Sequence, residues 1–92
     1  MFVDQRRKFD LEEMDSIVEQ LKTKILLSID KHGDNTLASD AEIVGVLAEE
    51  QYELLKAVHE ESTRQVIEEL YDIAVGAVVG IASILVNSRN VH

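Results

Sequence analysis

Residues 48–72 read AEEQYELLKAVHEESTRQVIEELYD, and this stretch decides the fold. It contains two segments with the apolar periodicity of helices, separated by a polar run at residues 60–62. Ser62 followed by Gln65 has the spacing of a capping box, which predicts that a new helix begins directly after a tight turn. Because the turn is short, the two helices are expected to lie antiparallel.

Each of these helices carries a cluster of acidic residues. The members are Glu49, Glu50 and Glu53 in the first helix and Glu68, Glu69 and Asp72 in the second. Residues three apart on a helix project from the same side, so each helix offers a pair of carboxylates one turn apart. Glu53 and Glu69 each lie eight residues from position 61, the middle of the turn, and should therefore stand at the same height. The spacing predicts one carboxylate site shared by both helices.

The acids also lie on rows of residues that are otherwise apolar. Burying a carboxylate without a counter-charge is so costly that the group usually takes up a proton instead. Few cations lie beside the acids, so a divalent metal ion is the expected counter-charge. The absence of His from both pairs favours Mg²⁺, with Mn²⁺ as a substitute, because hard cations take oxygen ligands. The two rows are Val46, Glu50, Glu53 and Ala57, and Val66, Glu69, Ile73, Gly76 and Gly80.

The pattern EExxE at residues 49–53 followed by EExxD at residues 68–72 resembles the signature of MazG-like all-α nucleoside triphosphate pyrophosphohydrolases. The resemblance covers residues 39–87. It implies Mg²⁺-dependent hydrolysis between the α and β phosphates, giving a monophosphate and pyrophosphate, and the removal of noncanonical or surplus nucleotides. It also implies that the metal ligands are Glu50, Glu53, Glu69 and Asp72. The catalytic residues it implies are Glu49 and Glu50, with Glu49 holding a further metal ion or positioning water. The role of Glu68 is left open.

The other helices have start signals of the same kind. The first helix is expected to run from about residue 11 to Gly33, which can adopt the left-handed conformation of a C′ cap. The second helix, which carries Glu50, is expected to end near residue 60. The capping boxes that predict these two starts are Asp10 with Glu13 and Ser39 with Glu42.

Length and composition limit the architecture. The 92 residues predict one domain over residues 1–92, an all-α antiparallel bundle of three main helices. Residues 73–86 read IAVGAVVGIASILV, which is apolar nearly all round and needs a cover that two other helices cannot supply. We therefore expect oligomerisation to complete the bundle, as a homodimer or homotetramer. Gly76 and Gly80 predict a close helix approach on this segment.

Net charge and amino-acid composition limit the classes of partner and the compartment that are expected. A net charge of -9 disfavours binding to a nucleic acid polymer, whose phosphates need a basic surface. The apolar run at residues 73–86 is shorter than the ~20 residues that cross a bilayer, so no membrane segment is expected. The basic run at residues 6–8 is not followed by the apolar core of a signal peptide. The chain has no Cys, which fits a reducing cytoplasm.

Three alternative interpretations compete with a metal-dependent hydrolase. The first assigns the acids to solvated helix faces, where most helical ExxE pairs lie. A di-iron bundle would show Glu-x-x-His pairs, whereas His59 follows Lys56 at that spacing. A non-catalytic helical interaction module would explain the caps and the apolar third helix, but not acids on apolar rows.

Overall fold

The fold consists of three α-helices. In the computed structural model, residues 6–89 are described, and they form α1 (Leu11–His32), α2 (Asp40–His59) and α3 (Thr63–Arg89), with no strand in that range. The prediction of an all-α protein with three helices is therefore confirmed. Both α1 and α2 pack on α3, and α1 does not contact α2 within the described residues.

The helix starts lie where the capping signals predict them. At each start an oxygen of the capping side chain accepts hydrogen bonds from the first turn of the helix, which satisfies backbone donors that have no partner inside it. At the end of α1, Gly33 has a φ of +90°, a region that favours glycine, although its ψ of 168° lies outside the left-handed helical region predicted for it. The capping bonds are Glu12 N and Glu13 N to Asp10 Oδ1 (3.0 and 3.3 Å), Glu42 N to Ser39 Oγ (3.2 Å), and Gln65 N to Ser62 Oγ (3.3 Å).

The turn between α2 and α3 is a Schellman motif. Ser62 N donates to Ala57 O at 3.2 Å, and Glu61 N donates to Val58 O at 3.1 Å. Glu61 takes the left-handed position of this motif with a φ of +56°. The chain thus reverses between His59 and Thr63, as the sequence predicts.

Two glycines allow α2 and α3 to approach closely. A Cβ atom added to Gly76 would lie 3.2 Å from Leu47 Cδ2, and one added to Gly80 would lie 3.1 Å from Ile43 Cγ2. Both glycines are buried. The close approach predicted for them is therefore found within one chain, against α2.

Replacing Gly80 with Leu is expected to lower the free energy of unfolding by about 1–3 kcal/mol, because the added side chain must displace Ile43 from a packed interface. Urea unfolding followed by circular dichroism measures this change. Gly45→Ala is the matched control, since nothing lies within 4 Å of that position. There the gain in helix propensity should raise stability by about 1 kcal/mol. Equal stability of Gly80→Leu and the unsubstituted protein would contradict the packing.

The loop between α1 and α2 is fastened to the end of α3. Ser83, which is 2% exposed, accepts a hydrogen bond from Leu37 N at 2.9 Å and donates to Val79 O at 2.7 Å. Asn87 Nδ2 donates to Leu37 O at 3.2 Å, and its Oδ1 accepts from Thr36 Oγ1 at 3.2 Å. These bonds fix where α2 begins and hence its register against α3.

Much apolar surface stays uncovered within the chain. No residue of α1 is buried, and of its large apolar side chains only Leu21 and Ile25 are half-buried. Exposed large apolar side chains occur on every helix and include Leu11, Val18 and Leu27 on α1, Val44, Tyr52 and Leu55 on α2, and Ile67, Ile81, Ile84 and Leu85 on α3.

The segment Thr63–Ser88 of α3 also has the length and composition of a membrane-spanning helix. An 18-residue stretch of it has a mean hydropathy of 1.9, and 17% of that stretch is buried within the chain. Length and composition do not distinguish a membrane helix from a core helix covered by a second subunit. The expectation that the chain has no membrane segment stays a prediction.

Candidate metal centre

Three carboxylates converge between α2 and α3. Glu50 comes from α2, and Glu69 and Asp72 come from successive turns of α3. One oxygen atom of each carboxylate lies within 4.8 Å of the corresponding atoms of the other two. The antiparallel turn therefore brings one acid of the first cluster together with two acids of the second.

The burial of these acids is uneven. Glu50 and Glu69 are half-buried, whereas Asp72 is exposed. Glu69 Oε2 is buried and has no hydrogen-bond partner among the described residues. A buried carboxylate oxygen without a partner costs free energy, and a cation bound between the three groups would remove that cost. Three carboxylates that offer only oxygen fit Mg²⁺ or Mn²⁺, which hold further water or phosphate oxygens in their remaining positions.

The electrostatics of Glu50 reflect this crowding. Its pKa is raised from 4.5 to about 7, first because the group is partly removed from water and then because the negative charge of Asp72 is close. The nearby carboxylates of Glu69 and Glu49 raise the pKa further. Without a cation, the cluster therefore keeps a proton near neutral pH.

Glu53 is not part of this group of three. It is exposed, whereas Leu54 is half-buried. The row of α2 that faces α3 therefore runs through Val46, Glu50, Leu54 and Ala57, with spacings of four, four and three, and not through Glu53 as the sequence analysis expects. A row through Glu53 and a row through Leu54 both fit the 3.6-residue period of a helix. Burial of the larger apolar side chain of Leu54 selects the second row. The role of Glu53 as a metal ligand stays a prediction.

The remaining two acids lie on the outer sides of the helices. Glu49 is exposed, yet it is close enough to contribute to the raised pKa of Glu50. The Glu68 carboxylate lies 3.4 Å from Arg64 Nε, and both side chains are largely exposed, so this pair adds little stability. Glu68, whose role the sequence leaves open, therefore has an ion-pair partner on its own helix.

A groove between α1 and α3 contains polar residues that were not predicted as part of a site. Tyr71 Oη donates to Gln20 Oε1 at 3.2 Å, and Lys24 Nζ lies 5.2 Å from the centre of the Tyr71 ring. Gln20 and Lys24 are four residues apart and share one side of α1. That spacing is a usable signal, but it does not say which helix the two side chains meet.

The metal-free protein should lose stability as pH rises. The native state keeps the Glu50 proton up to about pH 7, whereas the unfolded state releases it near 4.5, so the stabilisation is fully present below 4.5 and disappears through 7. Because the site is partly open to water, we expect a loss of about 1–2 kcal/mol. Melting curves in EDTA from pH 4.5 to 8 measure it. Glu50→Gln should lack this component, and an identical pH profile in both proteins would contradict the assignment.

Comparison with known proteins adds no relative. The chain matches no protein-family model, and searches of curated proteins and of solved structures also give no match. The site must therefore be interpreted from its own residues.

Proposed function

We propose that the chain is a Mg²⁺-dependent nucleoside triphosphate pyrophosphohydrolase of the MazG-like all-α type. Its reaction would convert a (deoxy)nucleoside triphosphate and water to the monophosphate and pyrophosphate. One observation carries the proposal: Glu50, Glu69 and Asp72 meet within 4.8 Å while Glu69 Oε2 is buried without a donor. The resemblance of residues 49–53 and 68–72 to that family supplies the bond that is cleaved.

In this reaction, the oxygen of a water molecule bonds to the α phosphorus, the bond from that phosphorus to the α–β bridging oxygen breaks, and pyrophosphate leaves. When bound, Mg²⁺ supplies positive charge that polarises phosphate oxygens and offsets the charge of the leaving group. Glu50, Glu69 and Asp72 would hold it, and Glu53 is the fourth ligand that the resemblance implies. Glu49 and Glu50 would orient the attacking water and accept its proton.

The proposed biological role is nucleotide-pool house-cleaning in the cytoplasm, that is, removal of noncanonical or surplus nucleotides. The strongly acidic chain supports a free nucleotide as substrate over a nucleic acid polymer. An anionic nucleotide would approach these carboxylates only in company with a divalent cation, which links substrate binding to metal binding.

We further propose that oligomerisation as a homodimer or homotetramer completes the bundle. Sedimentation at micromolar concentration should show at least a dimer, because the apolar side chains of α3 would otherwise face water. Ile81, which is 60% exposed, is a suitable site for Ile81→Glu, a substitution that should shift the protein to smaller species. A folded monomer of the unsubstituted protein at that concentration would contradict this part of the proposal.

A non-catalytic interaction module remains the second candidate. The exposed apolar surface on all three helices favours it, since such surface is typical of proteins that assemble with partners. It gives no reason for a buried, unpartnered oxygen on Glu69. Turnover therefore separates the two candidates.

The decisive assay offers the protein a panel of canonical and modified nucleoside triphosphates with Mg²⁺ and resolves the products. Monophosphate plus pyrophosphate supports the proposal, and EDTA should abolish their formation. Glu42→Gln, at an exposed position in the first turn of α2, should retain near-normal activity. Diphosphate plus phosphate, or no product from any nucleotide, would contradict the proposed reaction.

A further inference from the structure

The groove between α1 and α3 has the dimensions of a ligand site. Its volume is about 490 Å³, and α1 contributes Gln20 and Lys24 to its wall. Arg64 and Tyr71 line it from α3. Small-molecule sites in proteins have volumes of roughly 300–1,000 Å³ and combine an apolar wall with a few placed polar groups.

Lys24 is a cation without a carboxylate partner in this groove. Its ammonium lies over the ring of Tyr71 at 5.2 Å, and it forms no ion pair within residues 6–89. The residue is half-buried, so its charge is less screened by water than that of a fully exposed lysine. A hydrogen bond of 3.2 Å between Tyr71 and Gln20 holds the ring in place beneath it.

The charged side chains that line the groove have a net charge opposite in sign to that of the whole chain. Lys24 and Arg64 bring two positive charges to the groove, and Glu68 brings one negative charge. Arg64 lies against that carboxylate at 3.4 Å through its Nε, and because its guanidinium is largely exposed, its other N–H groups stay open to a ligand. In a chain with a net charge of -9, a groove with excess positive charge is suited to an anion.

The groove also borders the carboxylate cluster. Glu68, on its edge, and Asp72, in the cluster, are four residues apart on α3, so their Cβ atoms are neighbours at roughly 5–6 Å. A polyphosphate with one end at the cluster could therefore place its other phosphates in the groove.

We propose that this groove is an oligophosphate-binding subsite in which Lys24 and Arg64 hold the terminal phosphates of the substrate, those that leave as pyrophosphate. This inference rests on the proposed function for the identity of the substrate. Arg64 offers a planar fork of donors to phosphate oxygens, and Lys24 acts as a point charge. Tyr71 and Gln20 are positioning residues: the Tyr71 ring, held by its hydrogen bond to Gln20, supports the Lys24 ammonium.

Inorganic pyrophosphate is the probe, because the proposed reaction does not cleave it. Isothermal titration calorimetry in excess Mg²⁺ should show binding to the unsubstituted protein. Lys24→Gln should weaken it about tenfold or more, since a charge-assisted hydrogen bond is lost. Lys24→Arg should restore most of the affinity. Lys22→Gln, an exposed lysine two residues away, removes the same charge outside the groove and should leave affinity within about twofold.

The outcomes separate this inference from the proposed function. Suppose that the protein turns over nucleoside triphosphates, but that all four proteins bind pyrophosphate equally or none binds it. This result would overturn the subsite and leave the hydrolase standing. Pyrophosphate binding that depends on Lys24 but not on Lys22, with no turnover of any nucleotide, would support the subsite and overturn the hydrolase. The Lys24 effect combined with turnover would support both.

Discussion

Glu69→Gln is expected to reduce turnover by about 100-fold or more. Its carboxylate carries the buried oxygen without a donor, so it has the most to contribute to a bound cation. Glu50→Gln and Asp72→Asn should cause losses of the same order, because all three groups meet within 4.8 Å. Initial rates of pyrophosphate release in Mg²⁺ measure these losses.

The order of the losses is informative as well. Glu53 is exposed and lies outside the group of three, so Glu53→Gln should cost less activity than Glu69→Gln. Glu42→Gln is the control for the loss of one negative charge elsewhere on α2. If Glu69→Gln kept the activity of the control, the cluster would have no part in the reaction.

Mg²⁺ should reverse the effect of the cluster on stability. Without metal, crowding of the carboxylates raises the pKa of Glu50 and opposes folding, so Glu50→Gln should be at least as stable as the unsubstituted protein above pH 7. An ion that binds only the native state stabilises it by about 2.7 kcal/mol at 100 times its Kd. In a domain of this size, that corresponds to a rise in Tm of roughly 10–20 °C.

Thermal melts with and without Mg²⁺ at pH 8 measure this reversal. The unsubstituted protein should gain Tm with Mg²⁺, and Glu50→Gln should gain much less. Glu42→Gln should gain as much as the unsubstituted protein. A full metal-induced rise in Glu50→Gln would mean that the ion binds elsewhere.

The helix starts and the tight turn could be predicted because they depend on residues a few positions apart. Ser39 and Ser62 signal their helices through capping bonds that span three residues. The fastening of the loop by Ser83 and Asn87 joins positions about fifty residues apart. No local pattern carries such a contact, so it is visible only in the structure.

The candidate site could be predicted in part. Counting residues on either side of the tight turn predicts that the two acidic clusters meet, and Glu50 does meet Glu69 and Asp72. Glu53, which the same count sets level with Glu69, lies outside the group. The choice between Glu53 and Leu54 could not be made, because both spacings fit one helix and side-chain packing selects between them. The packing of α1 on α3 is likewise visible only in the structure, because no local pattern in α1 identifies the helix that it meets.

The central claim is that Glu50, Glu69 and Asp72 hold a divalent cation, and titration of the protein with Mn²⁺, followed by the loss of free-ion electron paramagnetic resonance signal, tests it most directly. We predict saturable binding to the unsubstituted protein and to Glu42→Gln. We predict affinities weakened by about 10- to 100-fold in Glu50→Gln and Glu69→Gln. Equal Mn²⁺ affinity in all four proteins, or no saturable binding to any of them, would contradict the claim.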